Sequence, residues 1–209
     1  MKVRIAKTSG FCMGVQRAMD MVLDALNQQE EHVYTYGPLI HNPKTVELLE
    51  KKGVRVVEDV EELTSGTLLI RAHGVPPQLR KKIKASGARV CDATCPRVGG
   101  VQSTIKKHIR KGYTPIIGGD AGHPEVVGLM GYSDGRGLVI NSAEEVDALS
   151  PLERVVVVAQ TTQDEEKYNR IVEQIKGRCR DVISFNTICE STHLRQEEVR
   201  RMAQEVDAV

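Results

Sequence analysis

Cys12, Cys95 and Cys189 are the side chains most able to do unusual chemistry in this 209-residue chain. Each follows a β-rich run, expected as strands over Val3–Lys7, Ala88–Ala93 and Val182–Phe185, and each opens a helical pattern. In parallel α/β units, ligands bind beyond the carboxyl ends of strands, so all three thiols sit where a site would form. Three thiolates are too few to close a structural zinc site. They suit a [4Fe–4S] cluster with three tethered irons and one open iron, able to polarise a substrate oxygen and pass electrons to it. The gaps of 83 and 94 residues match no local metal motif, so a catalytic zinc or three unrelated structural cysteines stay open as alternatives. Cys91 reads as a strand residue and Cys179 as incidental.

Three histidines share the same kind of position. His41 precedes Asn42-Pro43, a cap and first-turn pair; His73 follows an expected strand Thr67–Ala72; His123 precedes Pro124-Glu125. Helix N-termini offer free N–H groups and partial positive charge, and imidazoles added there suit a polyanion such as a diphosphate. His32, His108 and His193 read as surface or satisfied core residues, and Lys81-Lys82-Lys84 as a solvated helix face. Glu125 is either a first-turn acid favoured by the helix dipole or a general acid in a dry pocket. Gln160 and Thr161 end an expected strand Val155–Gln160.

These residues need a scaffold that delivers strand ends to one place. Further strands are expected at Val33–Gly37, Val54–Glu58, Thr114–Gly119 and Gly137–Ser142. Between them lie helical spacings such as Val15, Ala18, Met19, Val22, Leu23, Leu26 and Val98, Val101, Ile105, Ile109. That alternation implies right-handed crossovers and parallel sheets. Val56–Leu63 resembles Val139–Val146 at an offset of 83; Cys12 to Cys95 is also 83, and His41 to His123 is 82. A duplicated α/β unit follows. The expected fold is therefore α/β, with repeated parallel-sheet units in pseudo-threefold array around a central iron–sulfur site. Its expected parts are an N-terminal strand and first cysteine (1–12), units at 13–95 and 96–189, and a third unit begun at 190–209. Asp207-Ala208-Val209 reads as a strand just entered, which makes the chain look C-terminally truncated.

Bulk properties narrow the function. With 29 basic and 28 acidic residues there is no footprint for nucleic acid or an anionic membrane. No apolar run reaches membrane-span length, and the N-terminus is too short and charged for a signal peptide. Five unevenly spaced cysteines in a cytoplasmic protein argue for metal binding or catalysis rather than disulfides.

The motifs Gly10-Phe11-Cys12-Met13-Gly14-Val15, His41-Asn42, Ala72-His73-Gly74-Val75, Asp92-Ala93-Thr94-Cys95-Pro96, Gly122-His123-Pro124-Glu125-Val126, Gln160-Thr161-Thr162, Ile188-Cys189 and Arg195-Gln196 run in order along the chain. Together they resemble the 4-hydroxy-3-methylbut-2-enyl diphosphate reductases, the last enzymes of the methylerythritol phosphate route to isoprenoids. The resemblance implies cluster ligation by Cys12, Cys95 and Cys189, and diphosphate contacts from His41, His73 and His123. It implies proton delivery by Glu125, a substrate oxygen or water held by Thr161, and support from Gln160. The implied reaction is a two-electron, two-proton reductive loss of water from an allylic alcohol, fed by ferredoxin or flavodoxin. In the family, a third α/β unit supplies further hydroxyl and amide contacts to the diphosphate through a Ser-x-Asn motif; this chain is expected to end before that motif, so weak or no turnover is expected of these 209 residues. Two other classes compete: a three-cysteine hydratase, which would need no electron donor, and a non-catalytic metal-binding module, which would hold no sulfide.

Overall fold

The structure is a computed structural model describing residues 2–28, 32–61, 63 and 65–208; Met1, Glu62 of the repeated stretch and Val209 lie outside it. Two four-stranded sheets organise the chain. The first holds β1 (Val33–Tyr36), β2 (Val54–Val57), β3 (Thr67–Ile70) and β4 (Arg89–Asp92) in the order β2-β1-β3-β4. The second holds β5 (Thr114–Gly118), β6 (Leu138–Ile140), β7 (Arg154–Ala159) and β8 (Asp181–Phe185) in the order β6-β5-β7-β8. Every pairing is parallel, and the two orders are the same once the strands are renumbered within each sheet. The repeat seen in the sequence is thus a repeat of topology.

Helices α1 (Met13–Asn27), α2 (Pro43–Lys51), α3 (Pro77–Ala85), α4 (Pro96–Ile109), α5 (Pro124–Met130), α6 (Glu144–Asp147), α7 (Glu165–Lys176) and α8 (Glu190–Ala203) flank and connect the strands. Both faces of each sheet are covered, which explains the near-continuous apolar runs in the central strands. Along β3, Leu69 packs with Ala18 and Val22 of α1, whereas Leu68 and Ile70 pack with Val75 and Ile83. Along β7, Val155, Val157 and Ala159 join Ile171 and Ile175 of α7, and Val158 faces Val101 and Ile105 of α4. Each fully buried Val or Leu contributes about 1.5–3 kcal/mol. With so few aromatic residues, aliphatic packing carries both cores. No helix among the described residues is long and apolar enough to cross a membrane.

Two expected strands do not form. Residues 2–6 are irregular, Lys7 and Thr8 lie in a turn, and Val3 and Ile5 stay 72% and 82% exposed. A strand exists only with a partner edge, and neither sheet pairs with this segment. It is held instead by α8: the buried Glu198 carboxylate accepts from the backbone N–H of Lys7 (2.8 Å) and of Thr8 (2.7 Å) and from the Thr8 hydroxyl. Arg195 donates to the carbonyls of Thr8 and Gly10 at 3.0 and 2.8 Å. At the other terminus, residues 204–207 form turn and bend rather than entering a strand.

Candidate active site

The three cysteines occupy one structural position, used three times. Cys12, Cys95 and Cys189 are the N-caps of α1, α4 and α8, and none uses its side chain as a cap. Their sulfurs are therefore not spent on capping, though Cys189 Sγ lies 3.1 Å from the Ser191 hydroxyl; the helix N-termini beside them present free N–H groups and partial positive charge, favourable to a thiolate. The backbone fixes two of them against strand ends: Cys95 N–H donates to the Ala72 carbonyl (2.9 Å) and Cys189 N–H to the Thr161 carbonyl (2.8 Å). A Cβ added at Gly14 would lie 2.5 Å from the Cys95 sulfur and 4.0 Å from the Cys12 sulfur. Only glycine leaves that space, and the two distances together cap the separation of the two sulfurs.

All three thiols line one cavity of about 320 Å³, together with His41, His73, Glu125 and Thr161. The three sulfurs do not all lie within 4.8 Å of one another. Ligands of one zinc, each about 2.3 Å from the metal, are never more than about 4.6 Å apart.

His41, His73 and His123 do converge, with ring centroids 4.3, 5.0 and 5.5 Å apart. His41 and His73 follow the neighbouring strands β1 and β3, whereas His123 comes from the second unit and caps α5. His123 Nδ1 accepts from Glu125 N–H at 3.1 Å, which leaves Nε2 to carry the ring proton outward. His73 is pushed down to about 3, first by burial and then by the charges of His41, His123 and Arg71. His123 is also lowered, mainly by burial. The buried His73 Nδ1 has no hydrogen-bond partner.

Arg71, two residues before His73, is the member of this corner that the sequence did not reveal. Its guanidinium is partly desolvated, its Nε is unpartnered, and its charge reaches both His73 and His123. Gly37 (φ 63°) makes room for it, since a Cβ there would meet the guanidinium at 2.7 Å. The cation bears on which ligand the corner suits. Three clustered imidazoles alone could hold a metal ion, but with Arg71 beside them they favour an anion. A charged residue just after a strand, two residues before His73, was the only signal in the sequence.

Across the cavity, Glu125 is 2% exposed. Its carboxyl oxygens meet Thr161 twice at 2.7 Å, once through the backbone N–H and once through the hydroxyl. Burial raises its pKa; the two Thr161 bonds pull the other way without reversing it. Gln160 does not line the cavity. It ties two loops together, accepting from Asp120 N–H (3.0 Å) and donating to the Thr162 hydroxyl (2.8 Å).

A family model described as LytB protein matches residues 3–209. The chain belongs to the LytB protein family. Its LytB relatives include the 4-hydroxy-3-methylbut-2-enyl diphosphate reductase of Caldanaerobacter subterraneus subsp. tengcongensis, 39% identical over all of this chain and 74% of that protein. The Aquifex aeolicus protein of the same name is 40% identical, over 98% of this chain and 72% of its own. Among solved structures, one of (E)-4-hydroxy-3-methyl-but-2-enyl diphosphate reductase, described as the terminal enzyme of the non-mevalonate pathway, superposes with a TM-score of 0.82 at 41% identity. It covers 98% of this chain and 74% of that one. The Plasmodium falciparum E-1-hydroxy-2-methyl-but-2-enyl-4-diphosphate reductase gives 0.87 at 29% identity, over 95% and 64%. The LytB chain described here therefore spans about three quarters of most of these relatives. Arg195, Ser191 and Thr192, on α8, also line its cavity. Of these, only Arg195 had been singled out in the sequence, as part of a motif.

Proposed function

We propose that this chain reduces 4-hydroxy-3-methylbut-2-enyl diphosphate to isopentenyl and dimethylallyl diphosphate, with Cys12, Cys95 and Cys189 holding a [4Fe–4S] cluster that leaves one iron open. The observation that carries this is a single cavity lined by three N-cap thiols, two of the clustered histidines and the Glu125–Thr161 pair. The LytB relatives supply the name of the reaction. Free thiols throughout and the absence of an apolar spanning helix among the described residues support a cytoplasmic site of action.

When bound, the cluster supplies the electrons and a Lewis-acidic iron for the C–O bond. The chain's own groups do the rest. His41, His73, His123 and Arg71 take the diphosphate, and that remote anchoring orients the allylic end toward the thiols. An allylic hydroxide leaves poorly, so it must leave as water. Glu125, whose burial favours the protonated carboxyl, holds that proton. The Thr161 hydroxyl, 2.7 Å from the carboxyl, lines the cavity and passes it on while accepting the Glu125 proton in turn. Excluding bulk water from this pair protects the reduced allyl group until its second protonation, at either end, gives the two products.

The test is anaerobic reconstitution with iron and sulfide, followed by assay with dithionite and viologen. We expect [4Fe–4S] stoichiometry, a Mössbauer signal from one unique iron that shifts on adding substrate, and both products at a rate well below that of a relative carrying the third unit. A fully loaded cluster whose spectrum ignores the substrate, with no product formed, would refute the reading.

A further inference from the structure

A second cleft, about 680 Å³, shares Cys95 with the active-site cavity. Its walls are basic. Arg17 comes from α1, Arg80, Lys81 and Lys84 from α3, and Lys106 from α4, against one acid, Asp92. Arg80 neutralises Asp92 at 2.6 Å. Arg17 spends its guanidinium on uncharged carbonyls, those of Thr94 (3.3 Å) and Asp92 (3.2 Å), so its charge stays uncompensated beside the loop that ends in Cys95. Lys81, Lys84 and Lys106 are exposed and form no ion pair among the described residues. Lys81 and Lys84 are three apart and share a helix face, whereas their neighbour Lys82 does not line the cleft. In a chain of net charge +1, this concentration is local rather than a property of the whole surface.

We infer that this cleft is the docking surface for an acidic one-electron carrier protein, which delivers electrons by way of Cys95. The inference rests on the reductase reading. Two reduced carriers each give up one electron; two protons enter, the allylic C–O bond breaks, its oxygen leaves as water, and one C–H bond forms. The electrons come from outside the chain, and transfer slows steeply with distance, so the carrier must approach close to a cluster ligand. Cys95 is the only one of the three ligand cysteines that lines the basic cleft. Unpaired ammonium groups on two helices suit the spread carboxylates of a protein surface, and such patches act by steering encounter.

The experiment compares two reductants on the cluster-loaded protein. Reduced methyl viologen, a small cation, needs no basic surface; a reduced acidic ferredoxin does. Charge reversal at Lys81→Glu, Lys84→Glu and Lys106→Glu together is expected to lower the ferredoxin-driven kcat/KM by on the order of 10- to 100-fold. It should also flatten the salt dependence and leave viologen-driven turnover within about twofold. Lys82→Glu with Lys107→Glu, two reversals of the same kind placed off the cleft, is expected to alter neither rate. Direct ferredoxin binding at low salt, followed by calorimetry, should be lost only in the triple variant. The inference is overturned if the triple variant keeps ferredoxin binding, or if the off-cleft pair loses it equally. If the wild type fails with viologen and its cluster spectrum also ignores the substrate, the reductase reading fails, and the binding measurement still decides the docking surface.

Discussion

The ends of β3 and β7 occupy the same place in two sheets of the same strand order, yet they carry opposite kinds of polar chemistry. After β3 stands His73, desolvated, next to like charges, with a buried nitrogen lacking a partner. After β7 stands Thr161, whose backbone and hydroxyl are both engaged by Glu125. Buried polar groups left unsatisfied cost about 1–3 kcal/mol each, so the first corner is incomplete until an acceptor arrives. The second is complete before anything binds. Under the proposed function, one unit would keep its polar capacity for an anion, and the other would place an acid of raised pKa in a fixed network. Duplication gave two copies of a scaffold, and the strand-end residues divided the labour.

The sharpest way to break this contrast is Glu125→Gln, which preserves shape and one acceptor but removes the acid. Turnover is expected to fall on the order of 10²- to 10⁴-fold with little change in KM. In the wild type, kcat should decline as pH rises through the raised carboxyl pKa, because the protonated form is then lost; the variant should show no such limb. Retention of the limb would move the acid elsewhere.

His73→Ala should do the reverse. Losing one hydrogen bond to a charged ligand costs about 1.5–3 kcal/mol, so diphosphate affinity should weaken roughly 10- to 100-fold while cluster content stays intact. Calorimetry with inorganic diphosphate measures this without turnover. Equal affinity in wild type and variant would remove His73 from the anion site.

A smaller effect concerns protons. His73 and His123 are depressed in the free protein, and a bound polyanion raises both. Binding should therefore take up protons, and affinity should strengthen as pH falls between the free and bound pKa values. Calorimetry in buffers of different ionisation enthalpy reads the uptake directly; none should be seen at the Glu125–Thr161 corner.

The smallest expected change lies away from both corners. Hydrogen bonds from the Thr8 hydroxyl and from the Thr8 and Lys7 backbone pull Glu198 down to about 2. A depressed carboxyl stabilises fully above its unfolded pKa, about 4.3, and loses that contribution as pH falls toward 2. Glu198→Gln should lower Tm slightly near neutral pH, erase part of the acid sensitivity, and loosen residues 2–10 to proteolysis. An unchanged protease pattern would mean that other contacts dock the segment.

Much of this was legible beforehand. Alternating β-rich runs and helical spacings located all eight strands within a residue or two at most ends, because apolar periodicity is a local property. The 83-residue offset announced the duplication that the two strand orders display. The failures were also physical. Val3–Lys7 has strand-like composition, but a strand needs an edge, and whether one is free depends on the rest of the fold. Arg71 escaped notice because a lone arginine after a strand says nothing until its neighbours are known.

Sequence by itself determined the local elements, their order, and the placing of Cys12, Cys95 and Cys189 ahead of helices, since residue type and near-neighbour spacing set helix starts and strand periods. Tertiary structure alone decided that His123 of one unit meets His41 and His73 of the other, and that Glu125 is buried deeply enough to raise its carboxyl pKa. Both depend on how two separately folded sheets pack together, and desolvation and charge proximity exist only once distant segments share the same space.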